Sequence, residues 1–275
     1  MRTQINKKIK FAVLIVLVLA LMAACGGNGK NATDSDLAYV KNNGSMKIGI
    51  TIYPPMNYFD EQGELIGFDT EFAIEVLKDL GVEPDFIQIN WDTKETELTS
   101  KNIDCIWNGF TVSEERRENI LFSDSYIRNM QVVVIRVADS EKFTSKESLV
   151  GAKLTAEISS AGESAISDDD ILTTDNYTAM AKQTDTLMEV KAGTADAAVL
   201  DFTAAKTLVG AGTSYSDLMI MPGVELNTEE YAIGFRLGSD IVPEVNKIIK
   251  KLIDDGTLDL IAEKYDLKAS LLSNQ

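Results

Sequence analysis

Leu98 to Arg116 reads LTSKNIDCIWNGFTVSEER, and the order of its parts decides the fold. A helix that Asp92 is placed to cap runs to a basic turn at Lys101, and the short buried strand Ile103 to Trp107 follows. Asn108-Gly109-Phe110-Thr111 is then a loop, and Ser113 is a plausible N-cap for the next helix, with Arg116 in its first turn. On the N-terminal side, Met46 to Ile52 (MKIGITI) alternates as a strand does and is stopped by Tyr53-Pro54-Pro55. Phe72, Ala73, Val76, Leu77 and Leu80 share one helical face that Gly81 closes, and Pro84 to Asn90 (PDFIQIN) is the next strand. On the C-terminal side come a β-branched run at Gln131 to Val137 and strands at Lys153 to Ala156, Ala197 to Leu200 and Tyr231 to Phe235. Helices fall at Thr184 to Ala192 and Ile241 to Asp255. Alternating strands and helices predict an α/β fold with a mostly parallel sheet. A faint echo of Leu98 to Asn108 in Val190 to Asp201, with Asp104 matching Asp196, suits two lobes of similar plan.

Composition narrows the function. The 275 residues are 45% hydrophobic and 25% charged, as in a globular protein of one large or two smaller domains. A formal net charge of -17 repels nucleic acid and favours solubility. Histidine is absent, which removes the commonest general acid-base and zinc-binding side chain, so no metal is expected. No cofactor is expected either. The chain has two cysteines, Cys25 and Cys105.

The N-terminus has the three parts of an export signal: basic Met1 to Lys10, apolar Phe11 to Met22, and small Ala23-Ala24 before Cys25. The apolar run is short for a membrane span. Leu21-Met22-Ala23-Ala24-Cys25-Gly26 resembles a bacterial lipobox, which implies cleavage after residue 24 and a diacylated (palmitate-type) Cys25. The expected location is the extracytoplasmic face of the cell membrane, held by that lipid. Gly26 to Asp36 (GGNGKNATDSD) reads as a flexible leash.

Because ligands bind at the carboxyl ends of parallel strands, residues just past each strand are the candidates for function. Past Trp107, Gly109 lets backbone approach a ligand, Thr111 offers a hydroxyl, and Arg116 can grip a carboxylate with two parallel N–H bonds. Past Ala156, Ser160-Ala161-Gly162-Glu163 is a helix-capping signature whose free amides suit an anion. Asp201, past the strand AAVL, can pair with an ammonium group. Each is equally an ordinary feature taken alone: a solvated arginine, a well-capped helix, a turn aspartate.

Together they resemble the amino-acid-binding proteins of ABC importers, the polar amino-acid class. The matching stretches are Lys47-Ile48-Gly49-Ile50, Tyr53-Pro54-Pro55, Gly67-Phe68-Asp69, Gly109-Phe110-Thr111 through Glu115-Arg116, Phe122 to Tyr126, Gly193 to Ala197, Asp201, Tyr231 to Gly234 and Asp255 to Leu258. The resemblance implies a two-lobed periplasmic-binding-protein-like fold (type II), each lobe a mostly parallel sheet flanked by helices, joined by hinge strands near Arg128 to Val132 and Gly223 to Glu229. The expected division is a signal peptide over 1–24, a lipidated N-terminus and linker over 25–42, lobe 1 over 43–128 plus 230–275, and lobe 2 over 129–229. Arg116 would hold the ligand's α-carboxylate, assisted by Thr111 and the turn at Ser160 and Ala161. Asp201 would take the α-ammonium with backbone at Gly109, and Tyr53 and Trp91 would sandwich the side chain.

Two positions depart from the family pattern. Ser159 stands where a glycine usually opens the second-lobe turn, and Ala161 replaces a common serine or threonine. Ile50 lies where binders of lysine-like ligands tend to carry an acid, which points to a polar or uncharged ligand such as cystine. The implied partners are the free amino acid and the importer's permease subunits. The chain is expected to act as a monomer and not as an enzyme, and ATP falls to another subunit because no GxxxxGK[ST] loop is present. The alternative is a dehydratase on the same fold acting on a cyclic carboxylate, with Glu157 as general acid.

Overall fold

A computed structural model describes residues 35–172 and 174–274. The expected signal peptide and Cys25 lie outside the described residues. The first element is α1 (Asp36–Asn43), whose N-cap Ser35 accepts a hydrogen bond from the Ala38 amide at 3.0 Å. The linker expected through residue 42 is thus too long at its inner end. The helix is held because Val40 is buried and Arg236 bridges Asp36 and Asp104 at 3.1 and 3.3 Å.

Next come β1 (Ser45–Ile50), the hairpin β2 (Tyr58–Phe59) and β3 (Leu65–Ile66), α2 (Phe68–Leu80) and β4 (Glu83–Gln88). Helix α2 buries Phe72, Ala73, Val76 and Leu77 on one face and ends at Gly81, whose φ of 80° favours glycine. A 3₁₀ turn at Trp91–Thr93 leads into α3 (Lys94–Thr99), followed by β5 (Cys105–Ile106), α4 (Glu114–Arg117) and β6 (Ile120–Phe122). Asp92 makes no cap there, contrary to expectation; its carboxylate is turned to Ser159 instead.

The chain then crosses in β7 (Ile127–Arg136) to β8 (Leu154–Glu157), α5 (Ala161–Ser167), β9 (Tyr177–Met180), α6 (Gln183–Ala192), β10 (Ala197–Asp201) and α7 (Phe202–Leu208). It returns in β11 (Leu218–Tyr231), and β12 (Gly234–Arg236), α8 (Val242–Asp254) and α9 (Thr257–Lys264) complete the first lobe. The single strand expected over Tyr231 to Phe235 is split, because Ala232 and Ile233 lie where the chain passes from one sheet to the other.

The two five-stranded sheets run β4-β1-β5-β12-β6 and β11-β7-β10-β8-β9. In the first, β1 is parallel to β4 and β5 whereas β12 is antiparallel to β5 and β6. In the second, β8 is parallel to β9 and β10 whereas β7 is antiparallel to β10 and β11. Four strands of each sheet therefore share one direction, as expected of mostly parallel sheets, and a single strand, β12 in the first and β7 in the second, runs against them. That one reversed strand follows from the crossings, since β7 and β12 each come in from the other lobe and enter against the local strand direction.

Strands β7 and β11 pair from Ile127↔Tyr231 to Arg136↔Leu218, with register shifts between Ile220 and Thr228. Both expected hinge segments lie in this ribbon. Each lobe has its own packing: Phe72 meets Trp107 and Tyr126 at ring distances of 5.2 and 5.3 Å in the first, and Val133, Ile135, Leu154, Ile166 and Val199 pack together in the second. Among the described residues, no helix is long and apolar enough to cross a membrane.

Candidate functional site

All eight ligand-site residues singled out from the sequence line one cavity between the lobes. Tyr53, Trp91, Gly109, Thr111 and Arg116 come from the first lobe, and Ser160, Ala161 and Asp201 from the second. They meet because loops after β1, β4, β5, β8 and β10 all emerge at the carboxyl ends of strands that face the same gap. The cavity volume is about 10 Å³, room for roughly one water molecule. An outer groove of about 790 Å³ leads to it past Asp92, Lys94, Ser159 and Glu229.

Arg116 is fixed from both ends. Its amide donates to the Ser113 hydroxyl at 3.2 Å, as expected of that cap. Its guanidinium lies 4.7 Å over the Phe110 ring and donates to the Thr111 carbonyl at 2.8 Å and the Ser159 carbonyl at 3.3 Å. Burial draws its pKa below the ordinary arginine value, against the pull of Glu229.

Asp201 accepts from the side-chain amides of Asn129 at 2.7 Å, Gln131 at 2.6 Å and Gln183. Asn129 and Gln131 are two apart on β7 and so share one face of the strand. Both also donate to Glu229, at 2.7 and 2.9 Å, and the Thr111 hydroxyl donates there at 3.0 Å. Burial, then the charge of Asp201, pushes Glu229 up to about 8.

Gly109 explains why no larger residue stands there. Its φ is 54°, and a Cβ would lie 2.6 Å from the Tyr53 ring and 3.1 Å from that of Tyr231. Those two phenols are hydrogen-bonded to each other at 2.8 Å. The Gly109 amide donates to Asp69 at 2.6 Å, and the Tyr126 hydroxyl donates to the other oxygen at 2.8 Å. Burial raises Asp69 to about 7. Trp91 packs edge-on against Phe110, 5.7 Å between rings.

In the second lobe, the Ser160 hydroxyl accepts from the Glu163 amide at 3.1 Å, the cap read from the sequence. The Glu163 carboxylate reaches one residue further back than a capping box would, to the Ser159 amide at 2.6 Å. Ser159 adopts a φ of 56°, the left-handed region that glycine favours. A side chain there costs about 1–2 kcal/mol. The Ser159 hydroxyl donates to Asp92 at 2.7 Å and its carbonyl accepts from Lys94 at 2.9 Å. One residue of the second lobe is thus gripped by three side chains of the first.

Four further residues line the cavity: Thr51, Asn108, Glu157 and Gln183. Thr51 and Asn108 stand just past β1 and β5, so the strand-end rule was sufficient to find them. Asn108 accepts from the Thr51 amide and hydroxyl at 2.9 and 2.6 Å and donates to Asn57 at 2.6 Å. Gln183 opens α6 and carried no signal. Glu157, the last residue of β8, is 5% exposed and is raised to about 8 by burial and then by Asp201.

Two α/β lobes on a two-stranded ribbon, with a half-buried arginine and a buried aspartate facing one cleft, define the class of two-lobed solute-binding proteins. Comparison with known proteins gives the family: the chain belongs to the bacterial extracellular solute-binding proteins, family 3, whose pattern matches residues 46–268. It is similar to an L-cystine-binding protein of Bacillus subtilis, TcyA, with 30% identity over 94% of this chain and 97% of that one. It is also similar to the L-cystine-binding protein TcyJ of Escherichia coli, with 28% identity over 92% and 94% of the two chains. Among solved structures, it resembles a Streptococcus pneumoniae ABC uptake transporter substrate-binding protein with bound histidine, at a TM-score of 0.78, 28% identity and coverage of 85% and 96%.

Proposed function

We propose that this protein captures a free amino acid, polar or uncharged, between its lobes and delivers it to an ABC permease, with cystine as the first candidate. The carrying observation is the opposition of Arg116 on one lobe to Asp201 on the other across a single cavity. Arg116 grips the α-carboxylate, helped by the Thr111 hydroxyl and the turn at Ser160 and Ala161. Asp201 receives the α-ammonium. The Gly109 amide is committed to Asp69, so its carbonyl is the atom offered to that ammonium. Tyr53 and Trp91 flank the side chain. A cavity of about 10 Å³ is far below the size of an amino acid, so the ribbon must let the lobes part for entry. The chain works as a monomer held at the membrane by acylated Cys25.

Calorimetric titration with the twenty amino acids and cystine tests this reading. Charge-assisted hydrogen bonds contribute about 1.5–3 kcal/mol each, so Arg116→Ala or Asp201→Ala is expected to weaken binding about tenfold to a hundredfold. Undiminished binding by both variants would refute the site.

Glu157 on the cavity wall, held protonated toward about 8, favours a second reading in which it is the general acid of a dehydratase. Formation of a dehydrated product from a cyclic carboxylate would establish that reading. An arginine opposed to an amide-held aspartate suits a zwitterion better.

A further inference from the structure

We propose that Glu157 is a specificity-determining residue that receives a second cationic nitrogen at the far end of the ligand, so that the captured amino acid is a diamino compound. The inference rests on the amino-acid reading of the same cleft and names the ligand class within it.

Charges at the cavity wall are out of balance for a simple zwitterion. A simple zwitterion matches Arg116 with its carboxylate and Asp201 with its ammonium. Glu157 is then left over, lining the same cavity and 5% exposed. A buried carboxylate is costly unless a cation or several donors meet it. Among the described residues, no lysine or arginine makes an ion pair with it, and the cation that most lowers its pKa is Lys94. The Lys94 ammonium is spent elsewhere, donating to the backbone carbonyls of Trp91 at 3.2 Å and Ser159 at 2.9 Å. The side-chain amide of Gln183, which lines the same cavity, is committed to Asp201. Two carboxylates, Glu157 and Asp201, thus face one cavity, and the nearby amide serves Asp201. Each raises the cost of charging the other, as the upward shift of Glu157 in the presence of Asp201 reflects.

A ligand nitrogen that bears a positive charge relieves this repulsion and supplies donors at once. A methyl or thioether end does neither. Tyr53 lines the same cavity, and an aromatic ring is compatible with a cation. Ile50 brings no acid from the first lobe, and Glu157 brings one from the second. Cystine meets the condition through its second α-ammonium and stays neutral overall; lysine and arginine meet it through their side chains.

Titration calorimetry of the purified protein and of Glu157→Gln, with L-cystine, L-lysine, L-arginine, L-glutamine and L-methionine, decides the matter. The unaltered protein is expected to bind at least one of the first three about tenfold or more tightly than either of the last two, and Glu157→Gln to collapse that preference to near unity. Preference for cystine places the second nitrogen on an α-carbon, preference for lysine or arginine places it on a side chain, and either supports the assignment. Tightest binding of glutamine or methionine, or a preference that survives in Glu157→Gln, overturns it while leaving amino-acid capture intact. Absence of binding by every amino acid overturns the amino-acid reading itself. The glutamine variant keeps the shape of the side chain, and matching circular dichroism spectra control for folding.

Discussion

Gly109 sits at the meeting point of the ligand cavity, the Tyr53–Tyr231 pair and Asp69. Gly109→Ala forces a side chain into a left-handed backbone, costing about 1–2 kcal/mol, and overpacks against Tyr53, costing about 1–3 kcal/mol more. The variant is expected to lose at least about tenfold in ligand affinity and to unfold at lower urea; an unchanged midpoint would show that the phenols yield freely. Residues of this kind were legible because they follow strands in the chain: Gly109, Thr111, Arg116, Ser160 and Asp201 all stand where a strand ends. Glu157 was legible only as a possible acid, because its isolation from any cation is set by where Lys94 and Gln183 point. Asn129, Gln131 and Glu229 gave no signal, since their shared network forms only when β7 and β11 pair.

At the scale of elements, α5 lies so close to β10 that a Cβ on Gly162 would be 2.7 Å from the Val199 carbonyl oxygen. Backbone cannot yield as a side chain can. Gly162→Ala is therefore expected to push the N-terminus of α5 away from the sheet, destabilising the protein by about 1–3 kcal/mol in urea unfolding and carrying Ser160 away from the cavity, with weaker ligand binding. Equal stability with weaker binding would mean that the helix tilts without losing its packing. Helix and strand positions were largely readable from period and capping: α2, α6 and α8 begin and end within a few residues of expectation. The reversed direction of β7 and β12 within otherwise parallel sheets was not, because both take it from crossings between lobes, which no local pattern encodes. Helix α1 was missed because Ser35 and Asp36 find their partners about 200 residues away, at Asp240 and Arg236.

For the molecule as a whole, three acids wholly or partly withdrawn from water make stability depend on pH in an unusual direction. Burial raises Asp69 from 3.8 to about 7 and, with Asp201 adding to it, Glu157 and Glu229 from 4.5 to about 8. Between the unfolded and folded values the folded chain holds protons that the unfolded chain has released, so stability falls as pH rises. Lys94 acts later: burial lowers it from 10.5 to about 8, and above that point the unfolded chain holds the extra proton, so stability recovers. Urea midpoints are expected to decline from about pH 5 to about pH 8 and to rise again toward about pH 10. A profile that climbs from 5 to 8 would show that these acids are ionised in the folded protein.

The ion pairs of Arg236 with Asp36 and Asp104 also fix a frame of reference. They weld α1 to the sheet of the first lobe, so anything that holds the chain ahead of Ser35 to a surface holds the lobe of Arg116. In that frame this lobe is the anvil and the lobe of Asp201 is the moving jaw. A partner waiting on the same surface would sense any opening and closing as travel of the second lobe, from β8 through α7.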